Sequence, residues 1–130
     1  MPITTNGQRG AVWRFPVIAW RVYDGDTIMD MVVDVGFGIR FTINARLLNI
    51  DAPEVRGPER EAGLKARDYL VGKMDAAKVV EIVSVIHNST IHRPMVKKGK
   101  YGRWLIEVFA DGVNLNEQLV ARGLAECREY

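Results

Sequence analysis

Three features set the expected architecture: five short segments rich in β-branched and aromatic residues, a helix-patterned stretch after the third, and a second helix near the C-terminus. This order predicts a mostly β fold with α, namely a five-stranded Greek-key barrel of the oligonucleotide/oligosaccharide-binding (OB-fold) type with two helices. A generic α+β sandwich accommodates the same run of elements.

Residues 1–16 mix Pro, Gly, Asn and Thr and read as an N-terminal arm, with Trp13 and Phe15 available to dock on a single domain spanning residues 17–130. Val17 to Tyr23 is strand-like, Asp24-Gly25 reverses the chain, and Thr27 to Val35 resumes an extended pattern, which makes a hairpin. After Gly36-Phe37-Gly38, the apolar residues Ile39, Phe41, Ile43, Ala45 and Leu47 alternate with Arg40, Thr42, Asn44 and Arg46, so Arg46 faces away from the apolar set. Pro53 and Pro58 bracket a loop, and a helix begins around Glu59. Its apolar stripe is Ala62, Ala66, Tyr69, Leu70 and Met74, with Glu61 and Lys65 able to pair outside. Lys78 to Ile86 and Trp104 to Ala110 supply further strands. Asp111-Gly112 then turns the chain into a short helix from about Asn114 to Arg122, which Gly123 is placed to end in a left-handed cap.

With 130 residues, 48% of them hydrophobic, one domain can bury its own core. The net charge of +2 does not by itself point to a polyanionic partner, but its distribution is uneven. From His87 to Arg103 the chain carries Arg93, Lys97, Lys98, Lys100 and Arg103 and no acid, which reads as a solvated loop or a surface for a polyanion. The single Cys127 excludes an intramolecular disulfide and a cysteine-based zinc site, and reads as a small, partly buried apolar residue. Arg9, Arg14 and Arg21 interrupt every apolar stretch near the N-terminus, and no run is long enough to cross a membrane, so a cytoplasmic location is expected. His87 and His92 read as solvated loop residues, and Asn88-Ser89-Thr90 as a glycosylation pattern without an export signal to make it relevant.

Chemistry concentrates in three places. Asp24 and Asp26 flank a glycine in a tight turn, and Asp51 and Glu54 straddle Ala52-Pro53, where proline stiffens the backbone. Arg46 and Arg103 each sit at the edge of a predicted strand with a planar fork of donors that suits phosphate oxygens. Taken singly, each has a structural explanation: an Asx turn, a strand end, an arginine paired with a nearby aspartate. Taken together, they supply carboxylates for a hard cation, a carboxylate to handle a proton, and two guanidinium groups for a phosphate.

In order and approximate spacing, three blocks resemble the staphylococcal nuclease (thermonuclease) family, and the likeness extends roughly from Val17 to Glu126. They are Val22-Tyr23-Asp24-Gly25-Asp26-Thr27, the stretch from Arg46 to Glu54, and Lys100-Tyr101-Gly102-Arg103. The segment from Asn116 to Ala125 is similar to the family's second helix. The resemblance implies a five-stranded barrel and calcium-dependent cleavage of DNA and RNA at low sequence specificity, leaving 3′-phosphates. It makes Asp26, Asp51 and the Ala52 carbonyl the metal ligands, Glu54 the general base, Arg46 and Arg103 the phosphate clamps, and Asp24 a secondary acid. Calcium accepts six to eight oxygen ligands in a loose shell, so two carboxylates leave room for a substrate oxygen. Lys97, Lys98, Lys100 and Arg93 would attract the nucleic acid, and Tyr101 offers a ring for a base. Two departures stand out. Ala52 occupies a position that is commonly Thr, and the sequence stops at Glu126-Cys127-Arg128-Glu129-Tyr130, so the expected fold lacks the family's third, C-terminal helix. The apolar patch this would leave uncovered makes a homo-oligomer through the C-terminal region an expectation. A catalytically weak or inactive nucleic-acid-binding barrel, or a purely structural one, is the alternative to an enzyme.

Overall fold

The structure, a computed structural model, describes residues 14–84 and 103–128. Along the chain run β1 (Phe15–Asp24), β2 (Thr27–Gly36), β3 (Ile39–Leu47), the two-residue β4 (Ile50–Asp51), helix α1 (Arg60–Ala76), β5 (Val80–Ser84), β6 (Trp104–Ala110), the short β7 (Val113–Asn114), helix α2 (Leu115–Ala121) and β8 (Glu126–Cys127). Hydrogen bonding follows the order β3-β2-β1-β5-β6-β7. The parallel pairs Ala45/Trp104, Arg46/Leu105 and Leu47/Ile106 then join β3 to β6 and close the five long strands into a barrel. The architecture is the OB-type barrel with two helices, not the sandwich.

Ile28, Met31, Leu47, Ile82, Ile106 and Val108 fill the barrel, Leu70 and Met74 of α1 seal one side, and Leu115 and Leu119 of α2 seal another. Each such side chain stabilises the fold by about 1.5–3 kcal/mol through loss of apolar surface to water. Helix α2 is held at both ends by its own sequence. The Asn114 side chain accepts the Glu117 N–H at 3.1 Å, and Gly123, at φ +71°, lets the Leu124 N–H turn back onto the Leu119 carbonyl at 2.8 Å. Buried Asn116 accepts the Val108 N–H at 3.1 Å and donates to the carbonyls of Leu48 and Ile106 at 3.0 Å each. That side chain ties the corner between β3 and β4 to the barrel wall.

The structure departs from the sequence pattern in several places. Phe15 and Pro16, which the sequence places in the arm, pair with Ile82 and Glu81 and belong to β1. Ile39 and Phe41 continue the apolar alternation of β3 yet are 50% and 58% exposed, because β6 covers that strand only from Ala45 onward. Helix α1 starts at Arg60, after a 3₁₀ turn at Gly57–Glu59 that contains Pro58, and it buries Gly63 rather than Ala62. Cys127 is exposed, not partly buried, since it lies on the short β8 that pairs with β4 at the barrel's rim.

Two close approaches explain which positions must be small. A methyl on Gly25 would lie 2.6 Å from the Ala66 Cβ and 2.8 Å from the Ala52 Cβ, so Gly25, Ala52 and Ala66 pack the β1–β2 turn, the segment after β4 and α1 against one another. A methyl on Gly63 would collide with the carbonyl of Glu54, so the helix rests directly on the loop backbone. Glycine is therefore required at residue 63 for approach, and not for an unusual φ. Gly72, on the same helix, faces open space. The same substitution should then have opposite signs at the two sites when measured by urea denaturation. Gly63→Ala is expected to destabilise by about 1–3 kcal/mol from overpacking, and Gly72→Ala to stabilise by about 0.5–1 kcal/mol from reduced chain entropy.

Candidate active site

The β1–β2 turn, the end of β3, the loop after β4 and the start of β6 open onto one cavity of about 430 Å³. Asp24, Asp26, Arg46, Asp51, Glu54 and Arg103 all line it, together with Tyr23, Thr27, Met29 and Asn44. Closure of the barrel makes this possible: Thr27 pairs with Arg46 across β2 and β3, and Arg46 lies beside Leu105 across β3 and β6, two residues past Arg103. A second cleft of about 480 Å³, lined by Phe15, Val35, Phe41, Ile43 and Trp104 among others, contains no ionisable side chain among the described residues.

Arg46 is the hub. Its Nη1 donates to the Ile50 carbonyl at 3.2 Å, and its Nη2 donates both to Asp26 at 3.3 Å and to Asp51 at 3.1 Å. The second Asp26 contact is the Ala52 N–H, which donates to the same carboxylate oxygen at 2.8 Å. Thr27 extends the chain of contacts: its hydroxyl donates to Asp26 at 3.0 Å and accepts from Arg103 at 3.2 Å. At the far side, Arg128 donates to the other oxygen of Asp51 at 3.0 Å. The sequence reading assigned no role to Thr27 or Arg128. Thr27 was visible as the last residue of the Asp-Gly-Asp-Thr turn. Arg128 reaches Asp51 only because β8 pairs with β4, and two-residue strands leave no periodic signal.

Asp24 is buried at 6% exposure, and its carboxylate accepts the Asp26 N–H at 3.1 Å. Burial, followed by hydrogen bonding to and repulsion from the Asp26 carboxylate, raises its pKa from 3.8 to about 7. Two acids crowded this closely are an oxygen-rich, negatively charged locus that a hard cation would relieve, and the donor types of Asp24, Asp26 and Asp51 suit calcium. The carboxylates are not arranged as a ready-made cage. Among the described residues no group of three or more His, Cys, Asp or Glu side chains is placed to hold a metal, and the Arg46 guanidinium bridges Asp26 and Asp51. Glu54 is exposed at the cavity rim, with its N–H donating to Glu59 at 3.3 Å and its carbonyl against Gly63. Lys97, Lys98, Lys100, Tyr101 and Arg93 lie outside the described residues, as do His87, His92 and the Asn88-Ser89-Thr90 pattern.

A family model described as staphylococcal nuclease homologue matches residues 44–130, more than half of the chain. The chain belongs to the staphylococcal nuclease family. Within the curated proteins it is similar to an "Uncharacterized endonuclease" of Escherichia coli O157:H7, 35% identical over 106 residues that cover 81% of this chain and 56% of that protein. A protein of the same description from Escherichia coli matches with the same identity and coverage. The chain thus spans little more than half the length of these relatives. No helix among the described residues is long and apolar enough to cross a membrane.

In this nuclease-family site Asp24 makes stability depend on pH. Its pKa is higher folded than unfolded, so the folded state binds more protons between about pH 4 and 7. The contribution is complete below pH 3.8 and is lost as pH rises through about 7. Asp24→Asn keeps an acceptor for the Asp26 N–H and removes the titration. In urea denaturation with chelator present, the variant is expected to gain on the wild type by a few kcal/mol between pH 4.5 and pH 8; parallel curves would show that Asp24 carries no such shift.

Proposed function

We propose that this chain is a calcium-dependent endonuclease that hydrolyses phosphodiester bonds in DNA and RNA with little sequence preference and leaves 3′-phosphates. The reading is carried by one observation: four carboxylates and two arginines from four separate chain segments converge on a single open cavity. Membership in the staphylococcal nuclease family and the similarity to proteins named as endonucleases support the same class of chemistry.

Each residue has a task that follows from its type and place. Asp26 and Asp51, with the Ala52 carbonyl and with Asp24 behind them, would hold calcium. When bound, calcium supplies positive charge at a non-bridging phosphate oxygen and helps align the substrate. Glu54, at the exposed rim, accepts a proton from the attacking water. As the new P–O bond forms and the bond from phosphorus to the 5′ oxygen breaks, negative charge grows on the phosphoryl oxygens and the leaving oxygen. Arg46 and Arg103 meet that charge with donors already fixed in the cavity wall, and the leaving 5′ oxygen takes up a proton to end as a hydroxyl. Thr27 positions Arg103 through its hydroxyl. None of these tasks uses a 2′-hydroxyl, so the same site suits DNA and RNA. Lys97, Lys98, Lys100 and Tyr101 are proposed to contribute to binding of the polyanion.

The test is digestion of single-stranded DNA in millimolar calcium, with and without chelator, by the wild type and Glu54→Ala. Cleavage is expected to require calcium and to fall by about 10²–10⁴-fold in the variant, the usual loss for a missing general base. Turnover that ignores both chelator and Glu54→Ala would contradict the assignment.

A further inference from the structure

The cavity lining is of two kinds. Arg46, Asp26 and Asp51 make it ionic, and Tyr23 and Met29 add a ring and a thioether to the same wall. Both apolar residues owe their position to interruptions of the sheet. On β1, Val22 pairs with Ile28 and Asp24 with Thr27, so Tyr23 is the extra residue of a bulge. On β2, Ile28 pairs with Ala45 and Met31 with Ile43, so Met29 and Asp30 together stand opposite Asn44. Bulges beside active sites re-aim side chains that regular pairing would send elsewhere. The second bulge is fastened in place: the Asp30 N–H donates to the Asn44 side-chain carbonyl at 3.1 Å, and Asp30 pairs with Arg21 at 3.0 Å. That contact also fixes which end of the Asn44 amide remains a donor at the cavity. Tyr23 is 37% exposed and lines the same cavity as the proposed phosphate clamps.

From this geometry we propose that Tyr23, backed by Met29 and rimmed by the Asn44 amide, is a platform on which the nucleobase next to the scissile phosphate packs. The inference rests on the nuclease reading and extends it to a base subsite. A nucleotide has the same division as the cavity, a charged phosphodiester joined to a flat, largely apolar ring. Every base offers a π-face, so stacking on Tyr23 adds affinity without adding sequence preference. The arrangement acts through binding and not on the reacting atoms, so it raises the apparent affinity and leaves the chemical step to Glu54 and the arginines.

The experiment compares two single-stranded oligonucleotides that differ only in whether the nucleotide flanking one cleavable phosphate carries a base or is abasic. Wild type, Tyr23→Ala and Tyr23→Phe are each assayed for KM and kcat in calcium, and for binding by fluorescence anisotropy in chelator. Tyr23→Ala is expected to raise KM on the base-bearing substrate by about tenfold, the usual scale of base–aromatic stacking. Its kcat should stay within about twofold, its KM on the abasic substrate should match the wild type, and Tyr23→Phe should behave as wild type throughout. Equal effects of Tyr23→Ala on both substrates, or none on either, overturn the platform. If the wild type cleaves neither oligonucleotide, the nuclease reading fails, and anisotropy still decides the platform: a wild-type preference for the base-bearing strand that Tyr23→Ala loses supports it, and an unchanged preference refutes it. Unaltered thermal unfolding of Tyr23→Phe, together with cooperative unfolding of Tyr23→Ala, confirms that the comparison is made between folded proteins.

Discussion

Arg46 carries a permanent charge with only 12% of its side chain exposed, and it shares one nitrogen between Asp26 from the β1–β2 turn and Asp51 from β4. A cation at that depth must be met by fixed partners, since stripping one from a buried pair costs about 3–5 kcal/mol. The Ile50 carbonyl and the two carboxylates meet it, and in doing so they fix the relative positions of the turn, the strand end and the loop. The remaining contacts extend outward from that nitrogen, through Thr27 to Arg103 on one side and through Asp51 to Arg128 on the other. The Arg46 guanidinium therefore joins the acid of the β1–β2 turn to the acid of β4.

The barrel supplies what Arg46 cannot. Parallel pairing of β3 with β6 brings Arg103 toward Arg46 although the two are far apart in sequence. The contacts of Gly25, Ala52 and Ala66 let two acid-bearing segments and a helix meet with no side chain between them. Ala52 is thus more than a tolerated replacement for a larger residue: its Cβ is part of the packing that brings the β1–β2 turn close, while its N–H holds Asp26. Gly63 does the same for the loop that carries Glu54. Small residues here act as spacers whose lack of bulk sets distances in the site.

The hairpin, the alternation of β3 and the capped α2 were legible because each leaves a local mark: Gly25 between two aspartates, period two from Ile43 to Leu47, Gly123 after the last helical turn. Candidate site residues were legible as types, and six of them, Asp24, Asp26, Arg46, Asp51, Glu54 and Arg103, share one cavity. What could not be read depends on long-range pairing. The β4–β8 ladder is two residues long, so neither the exposure of Cys127 nor the reach of Arg128 to Asp51 had a periodic signature. The burial of Gly63 in place of Ala62 depends on where the Glu54 carbonyl lies, and the exposure of Tyr23 on a one-residue shift between strands that alternation alone does not reveal. Glycine at residue 25 reads as turn chemistry in the sequence, and it is also explained by the two methyl groups it would meet.

The contacts of Arg46 would couple the two proposed ligands. Its guanidinium spans Asp26 and Asp51; a phosphate that accepts from Arg46 where it stands would draw hydrogen bonding away from the carboxylates and leave their oxygens freer for a cation, so each ligand should strengthen the other by the same factor. The most direct measurement is calorimetric titration of calcium into Glu54→Gln, chosen because its turnover is expected to be slow, alone and when saturated with single-stranded DNA. Calcium affinity is expected to rise by at least about fivefold with DNA present, and this gain should vanish in Glu54→Gln/Arg46→Ala. Equal calcium affinity in both states, with Arg46 intact, would contradict the role given to the shared guanidinium.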